Sequence, residues 1–225
     1  MTMLAVTVAL VVGAIGGYLI QRQRAAAHQS SPELIKAVRA ERVNQFALLP
    51  QQPHIAMLGD SITHAGEWSE LLGEVVANRG IGGDRSAQVL ERISTVPASA
   101  RTVFLMVGIN DLSGRIPVAE IADNTQQIVK ALQPRQVVVQ SVLFTADRAL
   151  SGPIAELNAR NRAYCDTGAC RYLELNDLFA HNDLLRDDMT VDGIHLAGRA
   201  YPLWGQRIKD IADSAAGARS PHQQP

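Results

Sequence analysis

Three residues, one of them far from the other two in the chain, have the types needed for nucleophilic attack on a carbonyl carbon. Ser61 stands in Gly59-Asp60-Ser61-Ile62-Thr63, directly after an apolar run. Its hydroxyl is a poor nucleophile until a base accepts its proton. His195, in Asp192-Gly193-Ile194-His195-Leu196, is the candidate base. The spacing lets a turn carry the Asp192 carboxylate to one imidazole nitrogen, which leaves the other to face Ser61. Each piece alone is a weak signal. A Gly-Asp-Ser triplet is also an ordinary turn or helix N-cap, and Asp-x-x-His also describes a turn former beside a surface histidine.

Acyl transfer further requires donors for the oxyanion that forms on the carbonyl oxygen. Gly80-Ile81-Gly82-Gly83-Asp84 can bring a backbone N–H close to a substrate, and Asn110, in Gly108-Ile109-Asn110-Asp111, offers a side-chain amide. With the N–H of Ser61, a backbone N–H from Gly82-Gly83 and the Asn110 amide make a three-donor oxyanion hole. The plain alternatives are a tight turn for the glycines and a turn residue for Asn110. Among the neighbours, Asp84 and Asp111 read as loop braces. Arg85 reads as a solvated loop residue, its alternative being contact with an anionic substrate. His64 is a second possible base, but its place on the turn after Ser61 points it elsewhere. Ile109, Leu112 and the segment from Phe144 to Ile154 are the candidate lining of a substrate pocket.

These loops must be placed by a scaffold, and the rest of the sequence describes one. Short apolar runs alternate with longer amphipathic segments. Strands are expected at His54 to Leu58, Val75 to Asn78, Thr102 to Val107, Gln136 to Leu143 and Arg171 to Leu175. Helices are expected from Trp68, over Ser86 to Val96, Pro117 to Leu132, Pro153 to Tyr164 and Ala197 to Ala215. Such alternation means an α/β fold with a five-stranded parallel sheet covered on both faces. Ligands of open parallel sheets bind outside the carboxyl ends of the strands. The loops after Leu58, Asn78 and Val107 fall there.

Taken together and in order, the four blocks resemble the SGNH, or GDSL, hydrolase family, over nearly all of the segment from His54 to Lys209. The run from Asn78 to Asp84 resembles the branch with platelet-activating-factor acetylhydrolase catalytic subunits and carbohydrate acetylesterases. The resemblance implies a flavodoxin-like three-layer α/β/α sandwich. It makes Ser61 the nucleophile and an oxyanion donor, Gly83 and Asn110 the other donors, His195 the base and Asp192 its partner. It implies no metal and no organic cofactor. The expected activity is hydrolysis of carboxylic esters with short acyl or acetyl groups, of lipid or sugar alcohols, through an acyl-enzyme on Ser61. Two alternatives stand beside it: an O-acyltransferase using the same triad, and a non-catalytic membrane-tethered binding module.

The bulk numbers agree with one enzyme-sized domain. Hydrophobic residues make up 47% and charged residues 19% of 225 residues, enough apolar side chain for a substantial core. A formal net charge of -1 gives no general attraction to nucleic acid, so a small-molecule ester is the expected partner. From Met1 to Ile20 there is no charged residue or histidine. A helix of that length spans a bilayer's hydrocarbon core, so residues 1–21 read as an uncleaved single-pass anchor. The alternative is a signal peptide with a cleavage site at Ala25-Ala26-Ala27. Residues 22–52 then form a linker and a first helix opening at Ser31-Pro32-Glu33, 53–216 the hydrolase domain, and 217–225 a frayed tail. Arg22, Arg24, Lys36, Arg39 and Arg42 follow the apolar stretch, and the positive-inside rule favours a cytoplasmic domain. Cys165 and Cys170 read as two ordinary small apolar residues; a disulfide between them would instead favour an oxidising compartment.

Overall fold

The computed structural model describes residues 32–49 and 52–217. The expected membrane segment and the end of the tail lie outside these residues, so the anchor reading rests on sequence alone. Among the described residues no helix is long and apolar enough to cross a membrane. The chain divides into two compact units between Ala47 and Leu48. The first contains helix α1, Pro32–Ala47, with Pro32 and Glu33 in its first turn, where a missing N–H and a negative charge both suit a helix start.

The second unit is built on a sheet of five parallel strands: β1 (Ile55–Gly59), β2 (Val76–Gly80), β3 (Thr102–Met106), β4 (Gln136–Gln140) and β5 (Arg171–Leu173). Their order is β2-β1-β3-β4-β5. The chain leaves β1 to one side for β2 and returns on the other for β3, so a switch point lies at the carboxyl end of β1, where open α/β sheets bind ligands. The register pairs Gly59 with Gly80 and with Met106. The three loops that follow therefore leave the sheet at one level.

Alternation along each strand makes two cores. Met57, Phe104 and Val138 face the side covered by α3 (Trp68–Leu72) and α9 (Ala200–Gly217), where Trp68, Tyr201, Trp204 and Ile208 are buried. Ala56, Leu58, Val103, Leu105 and Val139 face the side covered by α4 (Ser86–Glu91) and α6 (Val118–Leu132), against Val89, Ile128, Val129 and Leu132. This is the expected three-layer sandwich. The strands are buried on both faces, so they read as continuous apolar runs rather than as alternating patterns.

An aromatic cluster braces the short helix α2 (Ser61–His64). Trp68 stands edge-on to Trp204, with ring centroids 4.6 Å apart. Its indole N–H donates to the carbonyl of Thr63 at 2.7 Å, and the Tyr201 hydroxyl donates to that of Ile62 at 3.1 Å. Two carbonyls at the end of a four-residue helix thus gain partners inside the core.

Several boundaries differ from expectation. β4 stops at Gln140 although Val142 and Leu143 continue the apolar run, because side chains take over the pairing. Asn158 both accepts from Val142 N–H and donates to Val142 carbonyl, each at 2.8 Å, and Asn176 accepts from Phe144 N–H at 2.8 Å. β5 stops at Leu173 because the Glu174 carboxylate accepts from the N–H groups of Leu175 and Asn176, which opens α8 (Asn176–Phe179). An unexpected hairpin, β6 (Ala180–His181) with β7 (Leu184–Leu185), turns on Asn182 and Asp183, whose φ angles are 51° and 58°. Two left-handed residues are what a two-residue hairpin loop demands, and Asn and Asp tolerate them. The helix over Ser86–Val96 ends at Glu91 and the last helix begins at Ala200. Cys165 and Cys170 are disulfide-bonded, contrary to their reading as separate apolar residues. Gly168, at φ 89°, folds the chain after α7 (Ser151–Tyr164) back on itself and brings the two Cα atoms within 4.5 Å.

Candidate active site

Ser61 is the first residue of α2, directly beyond β1. The Asp60 side chain caps this helix, accepting from Ile62 N–H at 3.0 Å. Gly80, at the end of β2, touches the same helix: a side chain there would run into the backbone of His64. The approach of α2 to the sheet edge, and hence the height of Ser61, depends on that glycine.

His195 is 134 residues away in sequence, yet its Nε2 lies 2.9 Å from Ser61 Oγ. Its Nδ1 lies 2.6 Å from Asp192 Oδ2. With Nδ1 protonated and donating to the carboxylate, Nε2 is left to accept the serine proton. The turn that makes this contact is closed on itself. Asp192 Oδ1 accepts from the N–H groups of Ile194 and His195, at 3.0 and 2.7 Å. Thr190 Oγ1 donates to the His195 carbonyl at 2.7 Å and accepts from Gly193 N–H at 2.9 Å. Gly193 takes φ 87°, a conformation that a side chain rarely tolerates, and its carbonyl accepts from Ala146 N–H at 2.8 Å. The His195 N–H, its ring and the Ile194 N–H all favour the ionised carboxylate, and they pull Asp192 down to about 2. Asp192 is therefore charged at any pH where the protein would work.

The donors expected for an oxyanion stand on the serine loop, on the glycine loop beside it and on a helix tied to that glycine loop. Gly82 approaches Ser61 closely enough that a Cβ on it would stand 3.9 Å from Ser61 Cβ, and Gly83 takes φ 78°. Among the described residues, the Ser61 and Gly83 N–H groups have no acceptor. Asn110 opens α5 (Ile109–Ser113) after β3, and its amide donates one N–H to the Asp84 carbonyl at 3.0 Å. That bond fixes the side chain and leaves its second N–H.

Beneath these donors lies a buried polar framework. Arg92 is buried, and each of its three guanidinium nitrogens donates to the site loops. Nε donates to Asp84 Oδ2 at 2.6 Å, Nη1 to the Arg79 carbonyl at 2.7 Å and Nη2 to the Gly59 carbonyl at 2.8 Å. One side chain thus joins the end of β1, the end of β2 and the glycine loop, and Asp84 passes the connection to Asn110. Asp111 holds the start of α4, accepting from the Ser86 N–H at 2.9 Å and its hydroxyl at 2.7 Å. Asp84 and Asp111 are the loop braces the sequence suggested. Asp60 is wholly buried, and loss of water raises its carboxyl to about 7 despite its bond from Ile62 N–H.

Arg92 and Asp60 were not singled out by motif reasoning. Arg92 follows buried Val89 by three residues, so it sits on the apolar face of a helical pattern, which is the one local sign of a buried arginine. His64 is exposed on α2, and its carbonyl accepts from the Asn78 amide. Arg85 is exposed and its guanidinium lies close to Gly114. Ile109 is 4% exposed and belongs to the core cluster that also holds Trp68 and Trp204. Leu112 lines a cleft beside the triad turn together with residues from Thr145 to Pro153.

The model of the GDSL-like lipase/acylhydrolase family matches residues 57–203. No curated protein sequence matches the chain significantly. Among solved structures, a Streptococcus pneumonia protein provisionally named a platelet activating factor superposes with a TM-score of 0.71. It is 20% identical, over 90% of this chain and 98% of its own. A GDSL-like lipase from Bacteroides thetaiotaomicron gives 0.67 at 22% identity, over 78% of this chain and 97% of its own. Est24, a carbohydrate acetylesterase from Sinorhizobium meliloti, gives 0.58 at 17% identity, over 72% and 98%. At these identities the structural likeness establishes the shared fold. With the family match spanning all four motif blocks, the chain belongs to the GDSL-like lipase/acylhydrolase, or SGNH, family and is a serine hydrolase of ester bonds.

Proposed function

We propose that the chain hydrolyses carboxylic esters with short acyl groups, of lipid or sugar alcohols, through an acyl-enzyme on Ser61. The observation that carries this reading is the continuous relay from Ser61 Oγ to His195 Nε2 at 2.9 Å and from Nδ1 to Asp192 at 2.6 Å. Ser61 Oγ attacks the ester carbonyl while His195 takes its proton. The carbonyl oxygen becomes an oxyanion, held by the N–H groups of Ser61 and Gly83 and the free N–H of Asn110. As the C–O bond to the alcohol breaks, His195 returns the proton to the leaving oxygen. Water, deprotonated by His195, then attacks the acyl-enzyme and releases the acid and Ser61. Asp192 stays ionised throughout, holding the imidazole in the correct tautomer and stabilising the imidazolium.

The test is hydrolysis of p-nitrophenyl acetate and butyrate by the full chain and by Ser61→Ala. The reading expects turnover in the first and loss of at least 10³-fold in the second. Equal rates in the two would refute it.

A further inference from the structure

A polar cleft of about 420 Å³ lies apart from the triad and the oxyanion donors, none of which lines it. Phe144, beyond β4, and Glu174, directly beyond β5, place it at the carboxyl end of the sheet, where open α/β sheets bind ligands. One wall is α7; the other runs from α8 to the β6–β7 turn. The charges around it are already balanced. Arg162 pairs with Glu174 at 2.8 Å, and Asp177 with Arg207 at 2.9 Å. The Arg162 guanidinium also covers the Tyr172 ring, 4.3 Å from its centroid, so that ring face is not open to a ligand cation. No positive charge is left over for a phosphate.

Hydrogen-bonding groups, by contrast, are left over. Asn158 is 8% exposed, and its amide gives one N–H to the Val142 carbonyl; the other has no acceptor among the described residues. Arg162 gives Nη2 to Glu174 and keeps Nε and Nη1 uncommitted. On the other wall the Asp183 carboxylate has no partner among the described residues. We propose that this cleft is a second binding site, separate from the reacting centre, and that it holds one neutral sugar unit of a saccharide. A hydroxyl both donates and accepts, so neighbouring sugar hydroxyls can accept from Asn158 and Arg162 and donate to Asp183. Bonds to charged partners are the stronger kind. Ala155, Ala159 and Ala180 offer a small apolar surface to the C–H face of a pyranose. At about 30 Å³ for each water-sized group, the cleft has room for roughly a dozen, the size of one pyranose with its hydroxyls. The segment Phe144–Ala146 borders the cleft at one end and at the other bonds the triad turn, from Ala146 N–H to the Gly193 carbonyl. A saccharide held here is therefore bound at the same end of the sheet as the serine. The proposal goes beyond the esterase reading and does not depend on it.

Binding is measured by chemical-shift titration of the full chain carrying Ser61→Ala, which prevents turnover. The probes are cellotetraose, xylotetraose, mannotetraose and tetra-N-acetylchitotetraose, with inorganic phosphate and tetramethylammonium standing for the charged classes. At least one tetrasaccharide should bind with a Kd below about 10 mM and shift the Asn158 side-chain amide. Arg162→Gln removes charged donors, and Ala159→Trp fills the cleft from an exposed position on its wall. Each should weaken that binding at least tenfold, with circular dichroism unchanged. With Ser61 intact, both variants should keep fluorophosphonate labelling of that serine, which reads the esterase assignment separately. The proposal is overturned if no tetrasaccharide binds, if binding survives either substitution, or if phosphate or tetramethylammonium binds more tightly than every saccharide.

Discussion

Two contacts to a carboxylate, of the same length, serve the serine site in opposite surroundings. Arg92 Nε meets Asp84 Oδ2 at 2.6 Å with side chains 2% and 1% exposed. His195 Nδ1 meets Asp192 Oδ2, also at 2.6 Å, with side chains 41% and 49% exposed. The buried pair touches no reacting atom; it joins the ends of β1 and β2 to the glycine loop and, through Asp84, to Asn110. The exposed pair reaches the serine directly but lies in solvent, where an ion pair contributes little to folding. The division is physical: placement is done where water cannot loosen it, and proton transfer where substrate and water can enter.

Asp192→Asn should break the exposed pair with the largest effect. The amide cannot hold the imidazole in the same tautomer, and kcat should fall by about 10⁴-fold. The melting temperature should stay within roughly 1 °C, because a solvent-exposed pair contributes little stability. A parallel loss of fold and activity would mean that the turn is structural instead. Arg92→Met should do the reverse. It takes the cation from a buried carboxylate, at a cost of about 3–5 kcal/mol, and lowers the melting temperature by about 10 °C. Adding Asp84→Asn to that variant should recover most of the loss. Without recovery, the arginine's bonds to the Gly59 and Arg79 carbonyls, rather than the ion pair, carry the stability.

Asp60 sharpens the comparison with a smaller, pH-dependent effect. Its carboxyl titrates near 3.8 when unfolded and about 7 when folded. Between those values the folded protein keeps a proton that the unfolded chain has lost, so stability falls as pH rises from about 4 to 7 and levels off above. Asp192 works in the opposite sense, but its window lies between 3.8 and about 2 and adds no slope above pH 5. Asp60→Asn keeps the acceptor for Ile62 and removes the charge. The variant should gain on the wild type by a few degrees between pH 5 and 8, roughly 2–4 °C per kcal/mol. A pH-independent gap in melting temperature would show that burial does not control this carboxyl.

The same division decides what could be read from the sequence. The sheet was legible because fully buried parallel strands such as Ala56-Met57-Leu58 and Val103-Phe104-Leu105 are unbroken apolar runs. The exposed chemistry was legible because Asp192 and His195 act across three residues, and because loops that carry function stand at strand ends. Less visible were contacts between side chains and distant backbone. The end of β4 depends on Asn158 and Asn176, which are 16 and 34 residues from the Val142 backbone they bond. Arg92 reaches 33 residues back to Gly59. The Cys165–Cys170 bond depends on a left-handed Gly168, and a glycine in sequence does not announce its conformation. The β6–β7 hairpin did leave a sign, the Asn182-Asp183 pair between two short runs, Phe179-Ala180-His181 and Leu184-Leu185.

The central claim is that the exposed pair activates Ser61 and no other residue as the nucleophile. Its most direct test is mass mapping of the adduct formed by an alkyl fluorophosphonate on the full chain, alongside Ser61→Ala. The account predicts one adduct, on the peptide containing Ser61, and none in the variant. An adduct on another residue, or an unmodified Ser61 in a folded protein, would contradict it.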